Sequence, residues 1–137
     1  MTDISSIAEF SEDLANAKPP APLPAKDYVA EVRFAEVAPS KKGKRMLTLT
    51  FHVPVDAYPS DYQDGNPDGT NLKHYTIVED TPSGRWNARR IVEALSGTLG
   101  RSLDPNSLIG HKARLTVEHE EFEGVMQHKA GRVTKIV

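Results

Sequence analysis

The sequence contains no cysteine, which excludes a disulfide framework, a thiolate zinc site and a thiol nucleophile. Aromatic residues are scarce, at 7% with a single tryptophan. No apolar run approaches the roughly 20 residues that a spanning helix needs, so no membrane association is expected. Charge of one sign is lacking too. Lys and Arg number 17 against 19 Asp and Glu, for a formal net charge of −2, so any affinity for a polyanion has to come from local clustering. Met1-Thr2-Asp3-Ile4 offers no basic stretch leading into an apolar one, so no secretory signal is expected and a cytoplasmic setting fits. Catalytic signatures are missing as well. There is no phosphate-binding glycine motif and no nucleophile elbow, and the five histidines lack metal-ligand spacing. Asp61–Asp68 does not follow the EF-hand pattern. His119 lies among Glu118, Glu120 and Glu121, but strand alternation splits these between two faces. Neither an enzyme, a cofactor nor a metal site is expected.

What is present is one domain's worth of chain, 137 residues with 38% hydrophobic and 26% charged. Residues 1–26 stand apart from the rest. Thr2 to Ala17 reads as an amphipathic helix, with Ile4, Ile7, Phe10 and Leu14 at helical spacing and Glu9, Glu12 and Asp13 opposite. Pro19, Pro20, Pro22 and Pro24 follow and predict an extended linker, with a boundary near Ala25.

From Asp27 the period becomes two. Strand 1 is expected over Asp27–Ala38, with Tyr28, Ala30, Val32 and Phe34 on one face. Strand 2 is expected over Arg45–Val55, with Leu47, Leu49, Phe51 and Val53 inward and Met46, Thr48, Thr50 and His52 outward. Asp56–Thr70 reads as a long loop and Asn71–Glu79 as strand 3. A helix over about residues 85–96 is capped by Thr81 or Ser83. Strands 4 and 5 are expected over His111–Glu121 and Val125–Val137, joined by a Glu123-Gly124 turn, with Gly131 marking a bulge or bend. The order strand, strand, strand, helix, strand, strand fits an all-β fold, a five-stranded oligonucleotide/oligosaccharide-binding (OB) barrel at 27–137 with one helix between strands 3 and 4. A mixed α+β sheet with the same order is the alternative.

Tyr28-Val29-Ala30-Glu31-Val32 and Glu36 to Phe51, which holds Ser40-Lys41-Lys42-Gly43, are similar to segments of small phage single-stranded DNA-binding proteins. So are the Trp86 helix after strand 3 and Leu108-Ile109-Gly110-His111-Lys112 ahead of strand 4. The resemblance covers about residues 27–137. It implies sequence-nonspecific binding of single-stranded DNA during replication, recombination or repair, in the host cytoplasm if phage-encoded. Replication or recombination proteins and a second copy of the chain are the partners it implies. Many such proteins carry an acidic C-terminal tail. Here Lys135-Ile136-Val137 reads as strand, so recruitment through a tail is not expected.

Lys41, Lys42, Lys44 and Arg45 crowd one turn, suited either to tracking phosphates or simply to guarding a sheet edge. Arg85 and Arg89 share a helix face beside Trp86, whose commoner role is to plug a barrel. Phe34 and Tyr75 are the stacking candidates; Phe51 has core parity. Tyr58 and Tyr62 stand in the long loop, free to reach a base or a partner. Thr48, Thr50 and His52 form a polar platform, with His74 expected beside it. Lys112 and Arg114 add charge on strand 4, and Lys129, Arg132 and Lys135 on strand 5. Two other readings compete with DNA binding: an OB-type protein–protein module without nucleic acid, and a small nuclease. Weak salt dependence would favour the first, metal-dependent cleavage the second.

Overall fold

The computed structural model describes residues 7–136. Five strands form one antiparallel sheet in the order β3-β2-β1-β4-β5. They are β1 (Asp27–Pro39), β2 (Arg45–Val53), β3 (Thr70–Ile77), β4 (Lys112–Phe122) and β5 (Val125–Thr134), with helix α1 (Pro82–Ala94) between β3 and β4. β5 thus stops short of the expected Val137, which lies outside the described residues.

The long β1 organises the sheet. Its first part, Asp27–Glu31, pairs with β4, and its second, Glu31–Pro39, with β2. Near the start of the second part the register slips at Val32/Phe34, leaving Arg33 as an extra residue. A one-residue slip reverses side-chain facing. Phe34, expected on the face of Tyr28, Ala30 and Val32, therefore turns outward, and Ala35 takes the core position opposite Leu49. β2 keeps strict alternation, with Leu47, Leu49, Phe51 and Val53 wholly buried. The second irregularity falls where Gly131 was expected to interrupt β5, between Leu115 and Val117 on the partner strand. A Cβ on Gly131 would stand 2.7 Å from the Glu118 carboxyl and 2.9 Å from the Thr116 carbonyl.

β3 and β5 form the two sheet edges. They approach each other without a hydrogen-bonded ladder, and α1 packs across both. The helix starts where its sequence dictates: Thr81 Oγ1 accepts from the Gly84 amide at 3.0 Å, with Pro82 at the first position. Gly84 lets this turn sit on the backbone of Glu79, where a Cβ would meet the carbonyl oxygen at 2.0 Å. Ile91, Val92 and Leu95 enter the core. Trp86 falls on the other side of the helix and is 56% exposed, so it does not plug the core.

The proline-rich stretch is part of the body. Within Pro19–Pro24 only Ala21 and Leu23 carry an amide proton, and both are used. Ala21 N–H donates to Asp64 Oδ2 at 2.6 Å, and Leu23 N–H to His128 Nδ1 at 2.8 Å. The Leu23 carbonyl accepts from His119 Nε2 at 2.8 Å, and the Leu23 side chain is fully buried. Tyr28 donates its hydroxyl to the Pro24 carbonyl at 2.8 Å. Burial, and then Tyr62, push that hydroxyl up to about 12, so it stays a donor. A boundary near Ala25 would cut through the core. Upstream, residues 7–13 form no helix; among the described residues of the helix expected over 2–17 there is only a 3-10 turn at Leu14–Asn16. Thr2 and Ile4 lie outside the described residues. An isolated helix this short is marginal in water.

His119 and His128 face each other across β4 and β5. Burial, and then the nearby His119, hold His128 below the ordinary histidine value. His74 is lowered by burial too, partly offset by a hydrogen bond to the Gly131 backbone. Both groups are less basic folded than unfolded. The stability they contribute is therefore present above about pH 6.5 and lost as pH falls through their folded values. Thermal melts between about pH 7.5 and pH 5 should show the midpoint dropping with acid. His128→Asn, which keeps an acceptor for the Leu23 amide but does not titrate, should flatten that slope. An unchanged slope in the variant would assign the acid sensitivity elsewhere.

Candidate nucleic-acid interface

The outer side of β1, β2 and β3 brings together five of the candidate residues, Phe34, Thr48, Thr50, His52 and Tyr75. The register aligns Glu36, Thr48 and Tyr75 in one row, Phe34, Thr50 and Lys73 in the next, and Glu31, His52 and Asn71 in a third. Phe34 is 51% and Tyr75 57% exposed, although large aromatics gain most from burial. Two strand spacings and one row offset put their backbones roughly 12 Å apart, so they are two separate platforms with hydroxyl groups between. His52 Nδ1 lies 2.8 Å from Asn71 Oδ1. Its ring packs over Gly69, where a Cβ would sit 2.4 Å away. Glu31 is engaged by the bulged Arg33 at 3.0 Å, which masks part of its charge.

The basic turn stands at the end of the same hairpin. Ser40 N–H donates to the Lys44 carbonyl at 2.7 Å and Gly43 N–H to the Ser40 carbonyl at 2.9 Å, with Gly43 at φ 79°. A left-handed glycine there closes the turn and leaves Lys41, Lys42 and Lys44 exposed. Arg45 is different. It has the inward parity of Leu47, and its Nε donates to the Val78 carbonyl at 3.0 Å. It lines a groove of about 870 Å³ together with Arg85, Arg89 and Arg101, away from the outer face. Within that groove Arg85 pairs with Asp80 at 2.7 Å, while Arg89 pairs with Glu93 and lies 6.0 Å from the Trp86 ring.

Other candidates separate further. His74 does not lie beside Thr50. It faces inward opposite Leu49, within hydrogen-bond reach of Thr76 Oγ1 at 3.1 Å, in a cleft of about 440 Å³ bounded by α1 and β5. Lys112 and Arg114 are on the outer side, but beyond the bulge, beside Glu31 and Val29. Lys129 pairs with Glu120 at 3.4 Å. Tyr58 and Tyr62 are not free to reach a base. They meet edge to face at 5.3 Å, close over Gly65 and bind the Asn66 and Ala21 carbonyls. Lys73 and Asn71 on the outer face, and Arg101 in the groove, went unread in the sequence. The parity of Leu72 signals the first two; nothing local signals the third.

Compared with known proteins, the chain matches no family model and no curated protein.

Proposed function

We propose that this chain is a non-catalytic single-stranded DNA-binding protein that holds its strand on the outer face of β1–β3 and on the basic turn. The observation that carries this reading is the pair Phe34 and Tyr75. Both are exposed on one polar sheet face, with Thr48 and Thr50 between them, Lys73 and Glu36 at the other two corners and three lysines at its end. Unpaired bases stack on exposed aromatic rings, hydroxyl and amide groups meet sugar and phosphate, and the lysines follow the backbone. None of this reads a base edge, so binding is sequence-nonspecific. The strand order, the bent β1 shared by β2 and β4, and the approach of β3 to β5 under α1 support an OB-type barrel as the scaffold. The resemblance of residues 27–137 to phage proteins points the same way, to replication or recombination in a host cytoplasm.

Anisotropy titrations of labelled oligo-dT against a duplex of equal length, at about 50 mM and about 200 mM salt, test the reading. The single strand should bind tighter, with affinity falling steeply as salt rises. Replacing Lys41, Lys42 and Lys44 by alanine should flatten the log–log salt slope by about 2, near 0.7 per phosphate contact on a single strand. An unchanged slope in a folded variant would remove the turn from the site. Equal affinity for both nucleic acids would reduce the face to a plain charged surface.

A further inference from the structure

We propose that the groove beside α1 is a docking site for the N-terminal segment, residues 7–17, of a second copy of this chain. The groove has the composition of a receptor for an acidic, apolar peptide. Arg45, Arg85, Arg89 and Arg101 line it, and its floor includes Val37 and Leu99, both exposed to solvent. Four arginines there face three acids, Glu79 and Asp80 in the wall and Glu93 beside Arg89, and exposed pairs such as Arg85–Asp80 and Arg89–Glu93 cost little to exchange.

The chain itself carries the complementary ligand. Ile7, Phe10 and Leu14 are 54%, 62% and 62% exposed, and Glu9, Glu12 and Asp13 are exposed beside them. Spacings of three and four put the three apolar residues on one face of a helix and the three acids on the other. Alone, a segment of this length gains too little to stay helical. Laid in the groove, it buries its stripe on the apolar floor while the long arginine side chains reach up its sides toward the acids of the far face.

The chain's own segment does not fill the groove: none of residues 7–17 lines it, Ile7, Phe10 and Leu14 stay exposed, and Ala21 is tied to Tyr62 and Asp64 in the loop that follows β2, at the other end of that strand from Arg45. The contact is head to tail, segment to groove, and so repeats into an open chain of molecules rather than closing as a dimer. It does not depend on the nucleic-acid reading, although lateral chaining is what coating a single strand calls for.

Sedimentation velocity of the full chain without nucleic acid decides the matter. Self-association should grow with concentration and weaken with salt. Phe10→Ala with Leu14→Ala, and separately Arg85→Ala with Arg89→Ala, should each weaken it by about tenfold or more. Because these positions are exposed, folding should be unaffected. Mixing the two variants is the sharpest arm. Each keeps the half the other has lost, so the mixture should form one-to-one complexes and nothing larger. A full chain that stays monomeric at high concentration, association that survives both double variants, or a mixture that stays monomeric would each overturn the proposal. So would a groove variant that associates normally but loses affinity for oligo-dT, which would give the groove to the nucleic acid.

Discussion

Leu23→Ala is expected to destabilise the folded chain by about 2–5 kcal/mol, the usual cost of emptying a fully buried leucine site. That is a large share of the roughly 5–15 kcal/mol that holds a domain together. Leu23 lies in a stretch that composition marks as linker, yet it is 0% exposed and belongs to the cluster containing Val32, Leu49, Phe51 and Leu115. Its peptide group is held on both sides, by His128 and His119, so the alanine backbone stays in place and the lost side-chain volume remains as a cavity. Urea unfolding should show a lower midpoint with an unchanged slope. Leu14→Ala is the matched control: with its side chain exposed, it should shift stability by no more than about 0.5 kcal/mol. Truncation should separate at the same place. A chain starting at Pro19 should keep its stability, whereas deletion of residues 1–26 removes Leu23 and both anchoring amides and should unfold or melt far earlier. A Leu23→Ala variant as stable as its parent would mean that the segment lies on the body without holding it.

The contrast between this segment and β2 shows what the sequence makes legible. In β2 each residue's facing follows from its neighbours, because one side is core and the other solvent, and Leu47 to Val53 alternate without interruption. Loop residues and prolines carry no period, so the capture of Leu23 by two histidines some hundred positions downstream leaves no local trace. Both lie on β4 and β5, where they look like ordinary alternation. The bulge at Arg33 is equally silent. Val32, Phe34 and Ala35 could continue one face or switch it, and only pairing with Phe51, Thr50 and Leu49 fixes which. In β3 the inward parity of Leu72, which buried Val78 continues, is obscured by Tyr75 and Ile77, large apolar side chains on the outward parity. That displaced His74 in the expectation and hid Lys73. The basic turn was legible as a turn, because Gly43 stands in a short polar stretch between two alternating runs, and it closes there at φ 79°. Its separation from Arg45, Arg85 and Arg89 was not, since the parity of Arg45 with Leu47 turns its exposed side chain toward the Val78 carbonyl and the groove beside α1, away from the neighbouring lysines.

Removal of the two exposed rings should produce the largest loss of function. Phe34→Ala and Tyr75→Ala are each expected to weaken oligo-dT binding by about 1–3 kcal/mol, the range for one base stacked on one aromatic side chain. This corresponds to roughly 5- to 150-fold in the dissociation constant. Their backbones stand roughly 12 Å apart, beyond the distance at which substitutions usually couple, so the double variant should lose close to the product of the two factors. Neither ring belongs to the buried core, so the melting temperature should stay near that of the parent, and circular dichroism separates loss of binding from loss of fold. Phe51 supplies the opposite control. It lies on the inner face of β2 with no exposed surface, and Phe51→Ala should destabilise the fold by about 3–5 kcal/mol. Salt distinguishes the rings from the turn. Aromatic loss should lower affinity by the same factor at every ionic strength, since no counterion is released at a ring, whereas loss of the lysines should change the slope itself. Duplex binding, which exposes no base face, should be nearly indifferent to both ring substitutions. Equal losses on duplex and single strand, or undiminished single-strand binding in the double variant, would move the strand off this face.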